Sequence, residues 1–183
     1  MFTGNREFNE IYEKYKNLVL KAAYMYSGDN SDAAEDITQD TFLKLYVNFE
    51  ELKRGNVPSW LFTTAKNAAL NFKKKSAREI LTGEQEDFEL KGSSRESAET
   101  EYMESELEDE RSRLHEKIFS GLMEKNPRWH DAIVLVYYMN IPQEKAAEIL
   151  GMHTQALYTM IHRAKKWIRK KYGAEYEEMN RKG

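Results

Sequence analysis

Apolar residues recur at intervals of three and four along most of this chain, and that helical period constrains the fold more than any other feature. Glycine and proline number only 9 and 3 in 183 residues, and no stretch shows the sustained alternation of a β-strand. The pattern predicts an all-α protein. We expect helices at roughly 6–26, 32–48, 60–78, 113–124, 128–139, 143–150 and 154–172.

The charged residues divide the chain into three segments. Residues 1–78 carry a net charge of +2, residues 79–110 carry −11, and residues 111–183 carry +6. The middle segment is rich in Glu and Ser, which is typical of a flexible, self-repelling linker, although a helical extension at 98–110 is an alternative for its second half. The sequence thus predicts two small helical domains, at 1–78 and 111–174, joined by an acidic flexible linker at 79–110 and followed by a tail at 175–183.

Composition argues against several kinds of chemistry. The chain contains no cysteine, which excludes disulfides and thiolate sites, and its four histidines lack the spacing of a helical zinc motif. No nucleotide-binding loop or catalytic constellation occurs, so we expect no metal, no cofactor and no enzymatic activity. No apolar run approaches the ~20 residues of a membrane helix, and the N-terminus is charged where a signal peptide is apolar. We therefore expect a soluble, cytoplasmic protein without a membrane partner.

Residues 32–46 (DAAEDITQDTFLKLY) divide into two unlike faces at about 100° per residue. One face points toward a core and contains Ala34, Ile37, Thr41 and Leu45. The other is acidic around an apolar centre and contains Asp32, Glu35, Asp36, Gln39, Leu43 and Tyr46. That outer face suits docking of a basic partner helix. From the pattern alone, a solvated amphipathic helix is the simpler interpretation.

The helix that begins near Pro58 also has two faces. Its apolar face contains Leu61, Ala65, Ala68, Ala69 and Phe72. The opposite face combines an aromatic ring, a hydroxyl, amides and cations: Trp60, Thr64, Asn67, Asn71, Lys74 and Lys75, flanked by Lys66 and Lys73. Such groups stack on unpaired bases, bond base edges and neutralise phosphates, so this face suits distorted or single-stranded DNA. Alternatively, Trp60 only packs at the helix start and the lysines are solvated.

Residues 143–172 have the layout of a helix-turn-helix, in which the second helix enters the major groove of DNA. Two alanines, Ala146 and Ala147, allow a close helix crossing, and Gly151 supplies the turn. Inward positions of the second helix are Leu157, Met160, Ile161, Ala164 and Ile168. Outward positions are Gln155, Thr159, His162, Arg163, Lys166 and Lys170. Six cations between 163 and 171 suit phosphates, although the helix dipole alone favours some of them.

Two blocks of the chain resemble bacterial RNA polymerase sigma factors of the extracytoplasmic-function (ECF) type, in the sigma-70 family. DAAEDITQDTFLKLY followed by PSWLFTTAKNAALNFKKK (58–75) is similar to region 2, where an acidic D-A-E-D-x-x-Q-E-x-F helix precedes a W-L-x-x-I-A-x-N helix. QEKAAEILGMHTQALYTMIHRAKKWIRKKY (143–172) is similar to region 4, which runs from E-E-I-A-E-I-L-G to V-K-S-R-L-H-R-A-R. The two blocks follow the family order, and the resemblance fails only in the linker.

The resemblance implies a transcription initiation factor whose partners are core RNA polymerase and promoter DNA. The acidic face would dock on the polymerase clamp helices through Asp32, Glu35, Asp36, Gln39, Asp40 and Leu43. The −10 promoter element would be read and melted by the loop at 48–57, which in the family captures a flipped base, and by Trp60, Thr64, Asn67, Asn71, Lys74 and Lys75. The −35 element would be read by His153, Thr154, Gln155, Tyr158, Thr159, His162, Arg163 and Lys166. The first helices of that domain would touch the polymerase flap, and an anti-sigma protein is a frequent partner of this class.

Some residues depart from the family pattern. Tyr158 and Met160 replace a Lys and an Arg near the start of the recognition helix, and Pro142 replaces a serine cap, so −35 preference should differ from that of common relatives. Two rival functions stay open: a stand-alone helix-turn-helix regulator, which leaves residues 1–78 unexplained, and a helical adaptor that binds polymerase without recognising promoters. The acidic linker is either a solvated spacer, which we favour, or a shield over the DNA-facing surfaces.

Overall fold

The computed structural model describes residues 6–82 and 100–182, and within them the side chains of residues 6–79, 109–179 and 181. Over these ranges the ordered elements are all helical, which confirms the predicted fold class. The elements are α1 (Arg6–Ser27), α2 (Ser31–Val47), α3 (Phe49–Leu52), α4 (Val57–Thr82), α5 (Thr100–Lys125), α6 (Pro127–Ile133) with a π-helical turn (Val134–Tyr138), α7 (Gln143–Ile149) and α8 (Thr154–Lys182). They form two helical bodies, α1 to α4 and α5 to α8.

Aromatic side chains hold the first body together where α1, α2 and α4 meet. Phe42 and Phe62 are almost completely buried, and burial of such a ring stabilises the fold by roughly 1.5–3 kcal/mol. Tyr12 of α1 meets Phe42 of α2 edge to face with the ring centroids 4.8 Å apart. Tyr26 of α1 meets Phe62 of α4 in the same way at 6.1 Å. α1 therefore packs on both of the other long helices.

A short polar turn sets the start of α2. The backbone takes positive φ at Gly28 (85°) and Asp29 (60°), where glycine and aspartate are tolerated better than most residues. Asn30 follows, and its side-chain Oδ1 accepts a hydrogen bond from the Ala33 N–H at 2.8 Å. Such a cap is typically worth about 1 kcal/mol. The turn thereby fixes the point at which the acidic helix begins.

The α4 helix begins at Val57, three residues before the predicted start at Trp60. Asn56 caps it, because its Oδ1 accepts a hydrogen bond from the Ser59 N–H at 3.0 Å. Pro58 is tolerated in this first turn, where the N–H groups have no helical acceptor. The proline therefore lies within the helix rather than before it.

In the second body, α5 and α8 run antiparallel. Gly121 of α5 leaves room for Tyr172 of α8, whose hydroxyl donates a hydrogen bond to the Lys117 carbonyl at 3.1 Å. A Cβ atom at Gly121 would overlap that hydroxyl. Nearer the start of α5, Leu114 is buried in one cluster with Tyr172 and Met179. The contact between the helices thus continues well past Tyr172.

Both ends of this helix pair lie outside the boundaries predicted from the sequence. α5 begins at Thr100, so the helical extension at 98–110 is the alternative that the structure favours over linker there. α8 continues to Lys182 through the segment predicted as a tail, because Met179 is buried and the Glu175 carboxylate pairs with the Lys117 ammonium at 2.8 Å. The central part of the predicted linker, 83–99, lies outside the described residues.

Candidate polymerase and nucleic-acid interfaces

The two faces of α2 are buried and exposed as the sequence predicted. Ala34, Ile37, Thr41 and Leu45 are buried. The proposed docking residues Asp32, Glu35, Asp36, Gln39, Asp40 and Leu43 are all exposed. Leu43 is 50% exposed and Tyr46 is 41% exposed, so an apolar patch lies at the end of the acidic surface. From Asp32 to Leu43 this surface, which we call the α2 outer face, is about 16 Å long.

The carboxylates of the α2 outer face are not neutralised by the rest of the described chain. Asp32, Glu35, Asp36 and Asp40 make no hydrogen bond or ion pair with any described residue. Carboxylates three or four residues apart on a helix repel one another by a few tenths of a kcal/mol per pair. The arrangement is therefore slightly unfavourable in the free chain, and a basic partner would relieve it.

The polar face of α4 forms one continuous stripe. Asn67, Asn71, Lys74 and Lys75 are exposed, and Trp60 and Thr64 are partly exposed. The opposite side is buried at Leu61, Ala65 and Ala69, whereas Ala68 and Phe72 are only half-buried. The six residues of the stripe span about 22 Å along the helix axis. Along the helix this stripe presents in turn an aromatic ring, a hydroxyl, two amides and two ammonium groups.

Lys66 does not behave as the freely projecting flanking cation that the sequence suggested. Its ammonium lies 5.8 Å from the centroid of the Phe62 ring and 6.0 Å from that of Tyr26. A cation over an aromatic face is held there by the ring quadrupole. Lys66 is therefore directed toward α1 and not along the polar stripe.

The segment between α2 and α4, residues 48–56, contains the short helix α3, which was not predicted from the sequence. Phe49 is buried, and its ring meets Phe8 of α1 edge to face at 5.5 Å. The signal was present, since an asparagine precedes Phe49 and two glutamates follow it in the first turn. We call residues 48–56 the α3 loop. It leads directly into the Trp60 end of the α4 stripe.

The turn between α7 and α8 has a regular helix-ending geometry. Gly151 adopts φ of 63°, the Met152 N–H donates to the Ala147 carbonyl at 3.0 Å, and the Gly151 N–H donates to the Glu148 carbonyl at 3.1 Å. These two bonds form a Schellman motif, in which the left-handed residue is usually glycine. The His153 carbonyl then accepts from the Leu157 N–H at 3.1 Å in the first turn of α8.

The outward side of α8 presents the predicted reading residues. His153, Gln155, Tyr158, Thr159, His162, Arg163 and Lys166 are exposed, and Thr154 is partly exposed. The Thr159 hydroxyl donates to the Gln155 carbonyl at 3.1 Å, so its oxygen stays available as an acceptor. Leu157, Ile161 and Ala164 are buried, as predicted, whereas Met160 and Ile168 are half-buried. Polar, neutral groups thus occupy the start of the helix and cations its middle.

Two of the six cations on α8 lie over aromatic rings. The Lys165 ammonium lies 4.3 Å from the centroid of the Tyr137 ring, and Lys171 lies 5.0 Å from that of Trp167. The pattern of outward positions on α8 did not predict these contacts. Tyr137 lies outside α8, and Trp167 is among neither its inward nor its outward positions. Arg163 and Lys166 follow Thr159 and His162 by four residues and therefore lie on the same side of α8.

Neither a cluster of metal-ligating side chains nor a membrane-spanning helix occurs among the described residues. Among the side chains of residues 6–79, 109–179 and 181, no three histidine, aspartate or glutamate side chains are grouped as a metal ion would require. Within the same ranges, no helix combines the length and the apolar character of a membrane span.

Comparison with known proteins identifies the first body. The family Sigma-70 region 2 matches residues 11–79, which contain α2, the α3 loop and most of α4. The chain is 24% identical over 166 residues to the ECF RNA polymerase sigma factor SigM of Bacillus subtilis, which covers 90% of this chain and 94% of that protein. It is 26% identical over 162 residues to the ECF RNA polymerase sigma factor SigE of Mycolicibacterium smegmatis, covering 88% of this chain and 60% of that protein.

A solved structure has a similar fold. The sigma factor RpoE of Bartonella quintana, crystallised with the anti-sigma factor NepR, matches with a TM-score of 0.50 and 20% identity over 91% of this chain and 96% of that one. This likeness supports the fold. Because the sequence relatives extend over about 90% of the chain, they include both helical bodies and not region 2 alone. The chain is an ECF-type RNA polymerase sigma factor of the sigma-70 family.

Proposed function

We propose that this sigma factor directs core RNA polymerase to promoters through three separate surfaces. The α2 outer face docks on the clamp helices of the polymerase, the α3 loop and α4 open the −10 element, and α8 reads the −35 element. Residues 1–78 then act as region 2 and residues 111–174 as region 4, with the rest of α8 bracing region 4. Because the two DNA contacts are on one chain, the second becomes intramolecular and two modest affinities combine.

The observation that carries this proposal is the unneutralised carboxylate row of α2. Four carboxylates face outward without a partner in the described chain, and the half-exposed Leu43 lies at the end of their row. A basic helix that presents one apolar side chain would satisfy both features. The clamp helices are the corresponding partner in the family, so we assign the α2 outer face to them and the first helices of region 4 to the flap.

At the −10 element, we propose that melting is driven by capture of unstacked bases. Trp60 offers a partly exposed ring on which a base can stack, a contact worth about 1–3 kcal/mol. Flipping a base out of the duplex costs a few kcal/mol, so one such contact offsets much of that cost. Asn67 and Asn71 then bond base edges, while Lys74 and Lys75 neutralise the backbone.

At the −35 element, we propose that the neutral residues at the start of α8 read base edges and that Arg163 and Lys166 bind phosphates. Tyr158, 45% exposed, replaces a family cation near the start of the helix. A ring there makes apolar contact with a thymine methyl rather than bonding guanine, which favours a different −35 sequence. We also propose a cytoplasmic location, where the polymerase acts, and an anti-sigma protein as an additional partner, because the structural relative was solved with one.

The test is gel filtration of the purified chain with bacterial core RNA polymerase at moderate salt, followed by open-complex formation on promoter DNA. The wild-type chain should co-elute with the polymerase at one to one. Asp36→Lys with Gln39→Lys should abolish co-elution, because two cations replace the acidic surface, while helicity measured by circular dichroism stays unchanged.

A matched control changes charge by the same amount on another exposed helix face. Glu13→Lys with Asn17→Lys on α1 also adds three positive charges, and both positions are exposed. This control should still co-elute. Equal loss for both double variants would show a general charge effect, and retained binding of the α2 variant would remove α2 as the docking surface. Separate elution of the wild type as a dimer would favour the stand-alone operator-binding regulator instead.

A further inference from the structure

Two neighbouring cations, Lys53 and Arg54, lie in the α3 loop in different surroundings. The loop also contains Glu50 and Glu51, so its four charged side chains cancel. Net charge therefore does not indicate which of its groups meets a nucleic-acid backbone. The contacts of each side chain distinguish the two cations.

The ammonium of Lys53 is paired with other groups of the protein. Its Nζ donates hydrogen bonds to Glu7 Oε2 of α1 at 3.2 Å and to Glu50 Oε1 of α3 at 3.1 Å, and it lies 5.5 Å from the centroid of the Phe49 ring. The Lys53 side chain is 26% exposed, the least of the three charged groups in this contact. The bonds to Glu50 and then Glu7 raise the pKa of Lys53, so the ammonium stays charged.

The Lys53 contact lies beside an apolar one that joins the same two elements. Phe49 is 4% exposed and packs edge to face on Phe8, one residue after Glu7. α3 is thus held to the start of α1 by a ring pair and by an ion pair at adjacent positions. A four-residue helix has little stability of its own, so these tertiary contacts keep it in place.

The surroundings of Arg54 differ from those of Lys53. Its side chain is exposed, and it makes no hydrogen bond or ion pair with any described residue. It precedes Gly55 and lies two residues before the cap of α4, at the end of the loop that adjoins Trp60. A free guanidinium presents two parallel N–H donors that match the oxygens of a phosphate.

We propose that Lys53 is a positioning residue that fixes the α3 loop to α1, and that Arg54 is the loop's contact with a phosphate of the melted −10 strand. This inference rests on the proposed role of the α3 loop in −10 opening. It assigns different functions to two adjacent cations that the sequence alone does not distinguish.

The anchoring half is tested without DNA, by hydrogen exchange of the backbone amides of the α3 loop. Glu7→Gln weakens the link to α1, so the amides of Leu52 and Lys53, which bond to Asn48 and Phe49 carbonyls, should exchange faster than in the wild type. Glu10→Gln is the matched control, since the ion pair that Glu10 makes within the described part of the chain is with Arg6 on its own helix. Unchanged loop exchange in Glu7→Gln, or equal acceleration in the control, would overturn the anchoring role.

The phosphate half is tested with holoenzyme on a promoter fragment that is mismatched over the −10 element. The promoter sequence of this fragment is chosen from the genomic DNA regions that the reconstituted holoenzyme transcribes. Binding is measured across a salt series for the wild type, Lys53→Gln and Arg54→Gln, which each remove one positive charge. Arg54→Gln should reduce the slope of log affinity against log salt by about 0.7, the value for one phosphate of a single strand.

Lys53→Gln should leave that slope unchanged while accelerating loop exchange. Equal slope changes in both variants, or a change in Lys53→Gln alone, would overturn the assignment. If the wild-type holoenzyme does not bind the mismatched fragment, the proposed −10 function fails and the Arg54 contact with it. The exchange experiment would still decide whether Lys53 anchors the loop.

Discussion

Gly121→Ala should destabilise the second body, although alanine is the better helix former. In the wild type, the Tyr172 hydroxyl occupies the space beside Gly121 and donates to the Lys117 carbonyl at 3.1 Å. A methyl group at 121 overlaps that oxygen, so the Tyr172 ring must shift and the hydrogen bond breaks. The nearest carbons, Cζ of Tyr172 and Cη2 of Trp167, would lie at 3.2 and 3.3 Å, which is tight but tolerable.

The magnitude follows from three opposing terms. Overpacking a buried contact costs about 1–3 kcal/mol, and loss of the hydrogen bond costs about 1 kcal/mol. Replacing a helical glycine by alanine returns about 1 kcal/mol. We therefore expect Gly121→Ala to lower the free energy of unfolding by about 1–3 kcal/mol. In a Tyr172→Phe background the overlapping oxygen is absent, and the same substitution should be neutral or stabilising by up to about 1 kcal/mol.

The assay is a double-mutant cycle. Urea unfolding of the full chain is monitored by circular dichroism and by Trp fluorescence. The coupling energy between the two positions should be about 1–4 kcal/mol, because only the tyrosine oxygen clashes with the new methyl group. Hydrogen exchange in α5 localises the effect to the second body. If Gly121→Ala costs the same in both backgrounds, the hydroxyl does not occupy that space in solution and the reasoning fails.

Three further perturbations test individual residues of the first body. Thr41→Val should raise the free energy of unfolding by about 1 kcal/mol in urea titrations, because the buried Thr41 hydroxyl has no hydrogen-bond partner among the described residues, and a loss would contradict this. Trp60→Ala should impair opening of duplex promoters more than of pre-melted ones, whereas an equal loss on both templates would indicate a folding defect. The pKa of Lys53 is raised above 10.5 by its bonds to Glu50 and Glu7, so the stability from this contact is complete below that pH and is lost as the pH rises through the folded value. Above pH 10.5 the urea midpoint of the wild type should therefore fall more steeply than that of Lys53→Gln.

The faces of the long helices were predictable because burial repeats with the helical period. Ala34, Ile37 and Leu45 lie on one stripe of α2, and the structure buries all three. The same period places Asn67 and Asn71 on the exposed side of α4. Neither result needed tertiary information, since an amphipathic helix in a small body has only one face to bury. The acidic and polar surfaces therefore followed from the sequence in the correct positions.

Contacts between residues distant in sequence were not predictable in this way. Phe49 follows the end of α2 and looks like part of a turn, but its partner Phe8 is supplied by α1. Lys66 has the spacing of a flanking cation, and only the presence of the Tyr26 and Phe62 rings shows that it is held against the body. In each case the deciding neighbour is a ring on another turn or helix. A period along one helix carries no information about such neighbours.

The end of α8 shows how a local signal is overridden. The predicted helix ends at residue 172, and the residue that follows, Gly173, is of a type that often ends helices. Yet Gly173 is helical with ordinary space around it, since the nearest atom to an added Cβ is Arg169 Cγ at 3.7 Å. What extends the helix is the surface of α5, against which Met179 is buried. The two halves of α8 thus form one continuous helix, so the contact at Tyr172 fixes the direction in which the residues proposed to read the −35 element point.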